Sequence, residues 1–191
     1  MLVGRKSDNA IVVNSNRHSA NLALIGFMGT GKTTVGRQVA ELLHFDFLDT
    51  DELIQASTGR TIAEIFSREG ETAFRALERR VVTELGARTR TVVSTGGGLP
   101  ANGDNLTVLK THALVICLCA SPEKIWERVH TQTHRPLLQG PNPQEKIRGL
   151  LSERQPFYLQ ADVLVNTDYR SVREVAQQIV HQYKVARSDR K

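Results

Sequence analysis

The chain has 191 residues, 40% hydrophobic and 24% charged, with a formal net charge of +5. That composition fits one ordinary globular domain with a sizeable core. It leaves no apolar run of membrane-spanning length and too few aromatics, 5%, for a basic stripe built to stack nucleic-acid bases. Residues 1–20 are polar and mixed, lack the apolar stretch of a secretory signal, and read as a disordered tail. The positive balance, partly carried by the ends, suits a protein that handles small anions.

The first ordered element expected is a buried strand over residues 22–26, from the apolar run Leu22-Ala23-Leu24-Ile25. Gly26-Phe27-Met28-Gly29-Thr30-Gly31-Lys32-Thr33 follows, a full G-x-x-x-x-G-K-[ST] match between that strand and a helix. Its glycines let backbone N–H groups turn inward around a phosphate, and the helix N-terminus adds its positive end. Lys32 reaches the outer phosphates in such a loop, and the Thr33 hydroxyl ligates Mg²⁺. The spacing predicts a nucleoside triphosphate site. The helix after it presents positions 35, 39, 42 and 43 on one apolar face.

A second strand, 45–49, leads into Asp49-Thr50-Asp51. Strand ends at this sheet edge face the ligand crevice, so one carboxylate can serve the metal's hydration shell and the other an acceptor hydroxyl. One of the two can equally be a helix N-cap, and both roles can coexist. Thr61-x-x-Glu64 is a capping box that opens a short helix with Ile62, Ile65 and Phe66 inward. A helix from Glu71 to about Leu85 turns Phe74, Leu77, Val81 and Leu85 inward and carries Arg75, spaced to pair with Glu71 or Glu78. Strand 91–95 ends in Gly96-Gly97-Gly98, a turn whose bare backbone a ligand can approach closely.

Strand 113–119 holds Cys117 and Cys119, which read as small core hydrophobes in a reducing, cytoplasmic setting. Ser121-Pro122 starts the next helix with an N-cap and a first-turn proline. Residues 130–142 are polar and aperiodic, and the presence of Arg135 favours a lid over a plain surface loop. Arg154-Gln155-Pro156-Phe157-Tyr158 places a second arginine beside a proline. Strand 162–166 and a helix capped by Ser171-x-x-Glu174, with Val172, Val175, Ala176, Ile179, Val180 and Tyr183 inward, close the domain, and 186–191 reads as a tail. Alternation of five strand-like with helix-like segments predicts an α/β fold with a parallel sheet covered by helices.

Taken in order, G-F-M-G-T-G-K-T-T at 26–34, L-D-T-D at 48–51, T-G-R-T-I-A-E-I-F at 58–66, E-x-x-F-R at 71–75, G-G-G at 96–98, R-P-L-L at 135–138 and R-Q-P-F-Y at 154–158 resemble the shikimate kinase family. The resemblance runs from about Asn21 to Tyr183. It implies a three-layer P-loop kinase fold with a five-stranded parallel sheet, a helical substrate region at about 50–87 and a lid at about 130–142. It also implies transfer of a phosphoryl group from ATP, with Mg²⁺, to the 3-hydroxyl of shikimate by a monomer.

Residue by residue, the resemblance gives Gly29, Thr30, Gly31, Lys32, Thr33 and Thr34 to the phosphates, and Arg128 and Arg170 to the adenine end. It gives Thr33 to the metal, Asp49 to the metal through water, and Asp51 to the acceptor hydroxyl. Arg75 and Arg154 would hold the shikimate carboxylate, with Glu78 positioning Arg75; Gly96, Gly97 and Gly98 would meet the substrate's polar groups. Arg135 would arrive with the lid and touch the transferring phosphate. The rival readings are a kinase for another polyol acid such as gluconate, a non-catalytic nucleotide-binding regulator on the same fold, and, more distantly, a nucleic-acid-stimulated ATPase.

Overall fold

The computed structural model describes residues 10–12, 20–131 and 142–188. Five parallel strands form the sheet: β2 (Asn21–Ile25), β3 (Asp46–Asp49), β4 (Thr91–Ser94), β5 (Ala113–Cys119) and β6 (Val163–Asn166). A three-residue strand, β1 (Ala10–Val12), pairs antiparallel with β6, giving the order β1-β6-β5-β2-β4-β3. The reading of residues 1–20 as a tail therefore fails for Ala10–Val12, a segment too short to show a period.

β2 is flanked by β4 on one side and β5 on the other. The order reverses there, which opens a crevice at the carboxyl end of β2, where the glycine loop begins. Alternation along the buried strands splits the core into two layers. Leu22 and Leu24 face α1 (Lys32–Leu43) and α7 (Val172–Ser188), packing with Val35, Val39, Val175 and Ile179. Ala23 and Ile25 face the other way, toward α4 (Asn105–His112), α5 (Pro122–Val129) and α6 (Pro143–Tyr158). Each fully buried aliphatic side chain in these layers contributes about 1.5–3 kcal/mol.

A third, smaller cluster joins α2 (Thr50–Thr58) to α3 (Ile62–Leu85) through Ile54, Ile65, Phe74 and Leu85. The two helices expected over 61–85 meet within α3 at Gly70, whose non-helical φ of 79° and ψ of 179° separate them and suit only glycine. Phe66 is exposed rather than inward and lies against Phe74, ring centroids 4.7 Å apart. In α1 the sheet-facing stripe passes through Gly36 and Ala40, and Leu42 is exposed. A Cβ at Gly36 would meet the Phe47 ring at 2.7 Å, so close helix–sheet packing takes the place of a larger side chain.

All three predicted caps form: Thr61 with Glu64, Ser121 to Lys124 N, and Ser171 with Glu174. Within α7, Val175, Ala176, Ile179 and Tyr183 are buried, whereas Val172 is exposed, and the helix continues to Ser188 through part of the expected tail. No helix among the described residues is long and apolar enough to cross a membrane. Residues 132–141, which include Arg135 and most of the expected lid, lie outside the described residues.

Candidate active site

The carboxyl edge of the sheet gathers many of the predicted residues into a cleft of about 590 Å³, lined by Gly29–Thr34, Asp49, Asp51, Gly96, Gly97, Arg128 and Arg170, but not by Arg75, Gly98 or Arg154. Its floor is the loop after β2. Gly26, Gly29 and Gly31 take φ of 136°, 76° and 95°, the left-handed region that lets consecutive N–H groups converge. Gly26 also has no room for a side chain: a Cβ would lie 2.4 Å from the Leu118 carbonyl oxygen of β5. The loop braces itself, with the Thr30 hydroxyl and Lys32 Nζ both donating to the Phe27 carbonyl, at 2.8 and 2.9 Å. Lys32 thus lies folded over the loop, next to the amino end of α1.

Three oxygens stand together beside that helix end. The Thr33 hydroxyl donates to Asp49 Oδ2 at 3.0 Å and lies 3.4 Å from Ser94 Oγ at the end of β4. Asp49 is also the N-cap of α2, its Oδ1 accepting from Asp51 N at 3.0 Å. Of the two readings of the Asp49–Asp51 pair, the helix N-cap falls to Asp49. Hydroxyl and carboxylate oxygens in one place suit a hard cation such as Mg²⁺.

Arg128 reaches back from α5, its Nη1 donating to the Gly29 carbonyl at 3.2 Å and the Thr167 hydroxyl at 3.0 Å, and its Nη2 to the Thr167 carbonyl at 2.6 Å. It ties the glycine loop to the end of β6. Arg170 lines the cleft and donates to Gln178 on α7.

Around Gly96–Gly98 the geometry changes character. Each glycine meets a different element. Gly96 N donates to the buried Thr50 hydroxyl at 2.9 Å, and a Cβ there would lie 2.8 Å from Asp51 Oδ1. The Gly97 carbonyl accepts from the Tyr158 hydroxyl of α6 at 2.6 Å. The Gly98 carbonyl accepts from Asn102 Nδ2 at 2.7 Å, and a Cβ at Gly98 would lie 3.2 Å from Arg75 Nη1. Three absent side chains let the turn fit between a carboxylate and a guanidinium.

Arg75 does not line the phosphate-loop cleft; it stands at the far side of the glycine turn. Its Nη1 donates to Glu78 Oε2 at 2.8 Å, and its Nη2 to Glu71 at 2.7 Å. Burial pulls its pKa down, but the hydrogen bonds to Glu78 and Glu71 outweigh this and raise it, so it stays cationic. Glu78 is 1% exposed. Burial pushes its carboxyl up, against the pull of Arg75, and the neighbouring Asp51 charge adds to the rise. Arg154 also lies outside the cleft lining, its guanidinium 5.7 Å from the Phe27 ring centroid. Burial pushes the Tyr158 hydroxyl up, which keeps it a donor to Gly97.

Tyr158, Thr50, Asn102, Thr167 and Ser94 carry much of this scaffold, and none has a role assigned by spacing. Tyr158 ends the R-Q-P-F-Y run, so a buried tyrosine one helical turn beyond Arg154 was the available signal. Asn102 and Thr167 act through contacts 24 and 39 positions away, which no local pattern encodes.

A parallel sheet with a glycine loop at its switch point, a lysine at the helix entry and an oxygen cluster beside it define a P-loop phosphotransferase. The shikimate kinase family model matches residues 28–184, and the chain belongs to that family. It is 45% identical over 163 residues to a shikimate kinase of Thermodesulfovibrio yellowstonii, covering 85% of this chain and 94% of that one. A structure of the Acinetobacter baumannii shikimate kinase in complex with shikimate superposes with a TM-score of 0.83 at 40% identity, covering 90% of this chain and 96% of the other. A gluconokinase of Sinorhizobium meliloti shares the fold only, with a TM-score of 0.53 and 16% identity.

Proposed function

We infer that this protein transfers the γ-phosphoryl group of ATP to the 3-hydroxyl of shikimate, releasing ADP and shikimate 3-phosphate, a step toward chorismate and the aromatic amino acids. The observation that carries this reading is the pairing of a formed phosphate loop with a caged arginine, Arg75, across a triple-glycine turn. A kinase whose acceptor is a neutral polyol has no use for a cation fixed there by a buried glutamate.

Gly29–Thr34 hold the triphosphate, and Arg128 and Arg170 flank the nucleotide's other end. Thr33, with Asp49 acting through water, would hold Mg²⁺, which supplies charge neutralisation of the phosphates when bound. Asp51 orients the acceptor hydroxyl and takes its proton as the new P–O bond forms. Arg75 and Arg154 receive the carboxylate, where charge-assisted bonds fix orientation as well as affinity. Arg135, which lies outside the described residues, is assigned to the transferring phosphate. The protein works as a cytoplasmic monomer.

The direct test is ADP release from Mg²⁺-ATP with and without shikimate, using Lys32→Ala as the blank. Strong stimulation by shikimate and little by gluconate or quinate is expected. Intact ATP binding with a flat response would instead support a nucleotide-binding regulator.

A further inference from the structure

Two consecutive residues after β6, Thr167 and Asp168, grip the short helix α5 at its two ends. Asp168 Oδ1 accepts from the backbone N–H of Ser121, the N-cap of α5, at 2.9 Å. At the other end Thr167 receives Arg128 twice, on its hydroxyl at 3.0 Å and on its carbonyl at 2.6 Å. Arg128 lines the phosphate-loop cleft; Thr167 borders it but is 3% exposed.

Chemistry fixes which atom donates in this contact. A guanidinium only donates, so the Thr167 hydroxyl must accept from it. Its single proton then goes to the Cys119 carbonyl at the end of β5, 3.2 Å away. That same carbonyl already accepts from the Thr167 N–H at 2.9 Å. As a tie between β5 and β6 the hydroxyl is therefore redundant. What it adds is a lone pair of set direction, aimed at Arg128.

The guanidinium is planar, and its contacts with Thr167 Oγ1, the Thr167 carbonyl and the Gly29 carbonyl, the last at 3.2 Å, leave it one orientation. The contact with Gly29 reaches the phosphate loop. Gly29 has φ of 76° and, as a glycine, little backbone preference of its own. Because the peptide is planar, holding its carbonyl also holds the Thr30 N–H on the opposite side, facing the Phe27 carbonyl at 3.4 Å.

We propose that Thr167 is a positioning residue for nucleotide binding, orienting Arg128 in the cleft and, through Arg128, the Gly29–Thr30 peptide of the phosphate loop. This rests on the reading of Arg128 as a nucleotide-binding residue and adds the residue that sets its geometry. It requires no contact between Thr167 and the nucleotide.

The test is calorimetric titration of the full chain with MgADP, without shikimate, so that the identity of the acceptor has no bearing on the result. Thr167→Val keeps the side chain's shape and the backbone bond to Cys119 while removing the hydroxyl. It should weaken MgADP binding by about fivefold to tenfold, part of a charge-assisted bond, since the Thr167 carbonyl still holds Nη2. Thr167→Ser restores the hydroxyl and should bind within about twofold of the unaltered chain. Arg128→Lys keeps the charge but has no planar fork to span three acceptors, and should bind as weakly as Arg128→Ala. That arm does not depend on the fold tolerating a change at Thr167. Adding Thr167→Val to Arg128→Ala should cost nothing further. In Thr167→Val the unfolding midpoint should move little, and KM should rise for ATP but not for shikimate. Undiminished affinity in Thr167→Val or in Arg128→Lys, an equal loss in Thr167→Ser, or additive losses in the double variant would overturn the role. Unchanged MgADP affinity in Arg128→Ala would overturn the place given to Arg128 and this role together, leaving the acceptor to the ADP-release assay.

Discussion

The two sides of the cleft are built from different materials. On the phosphate side the work falls to backbone: three left-handed glycines, a helix end, and a loop that bonds to its own carbonyl at Phe27. All of it comes from one continuous stretch, Gly26–Thr34. On the acceptor side the glycine turn is surrounded by side chains from three helices and a turn: Thr50 and Asp51 of α2, Arg75 and Glu78 of α3, Asn102 before α4, and Tyr158 of α6. A backbone cradle recognises what every nucleotide shares. On the proposed function a side-chain cage selects one acceptor, and removing any one of its members should leave the loop opposite in place.

That independence is open to attack, and the hardest blow falls on Asp51. Asp51→Asn keeps the shape of the side chain and should leave nucleotide binding intact while lowering turnover by about 10²–10⁴-fold, the range of a lost general base. Single-turnover rates alongside ADP titration separate the two, and near-normal turnover would remove Asp51 from the chemistry. Arg154→Ala comes next. It should raise the apparent KM for shikimate by the equivalent of about 2–5 kcal/mol, the cost of stranding the partner charge. The KM for ATP should stay put; a change confined to ATP would place Arg154 on the other side of the cleft.

The same contrast explains what the sequence could reveal. The phosphate side is legible residue by residue because its geometry is local: glycine spacing sets the dihedrals and the next helix supplies the field. The five parallel strands are legible too, most clearly β2 and β5, which are short, nearly continuous apolar runs. On the acceptor side, Arg75 and Arg154 had nothing local to mark them beyond a proline and some glutamates, and their roles came from family resemblance alone. Asn102 and Thr50 stayed silent because their partners, Glu78 and Gly96, are 24 and 46 positions away. Misjudged positions have the same origin. Leu42 and Phe66 fit a helical stripe, but Gly36 and Ala40 set which face of α1 meets the sheet, and Phe66 sits on Phe74 at the surface. Ala10–Val12 becomes a strand only because the edge of β6 accepts it.

Tyr158→Phe probes the cage more gently. It deletes the bond to the Gly97 carbonyl without changing the packing of the ring, so the loss should be about 0.5–1.5 kcal/mol. If the tyrosine positions the acceptor side, that loss appears in the KM for shikimate, with the KM for ATP unchanged and the unfolding midpoint little moved. A lower midpoint with both KM values intact would make it a packing residue only.

The smallest effect, and the most specific, is a pH dependence written into Glu78. Its carboxyl is raised above the ordinary 4.5, chiefly by burial. Between 4.5 and the raised value the folded chain holds a proton that the unfolded chain has released, so this group makes stability fall as pH rises through that window. Below the window the cost of burying the charge is absent; above it the cost is complete, and the ionised carboxylate then grips Arg75. Acidification should therefore do two opposite things: relieve a little strain in the fold and loosen the arginine, raising the KM for shikimate but not for ATP. Glu78→Gln should flatten both slopes, with KM for shikimate already high at neutral pH. Parallel slopes for the two substrates, or a slope that persists in Glu78→Gln, would show that the two sides of the cleft are not independent.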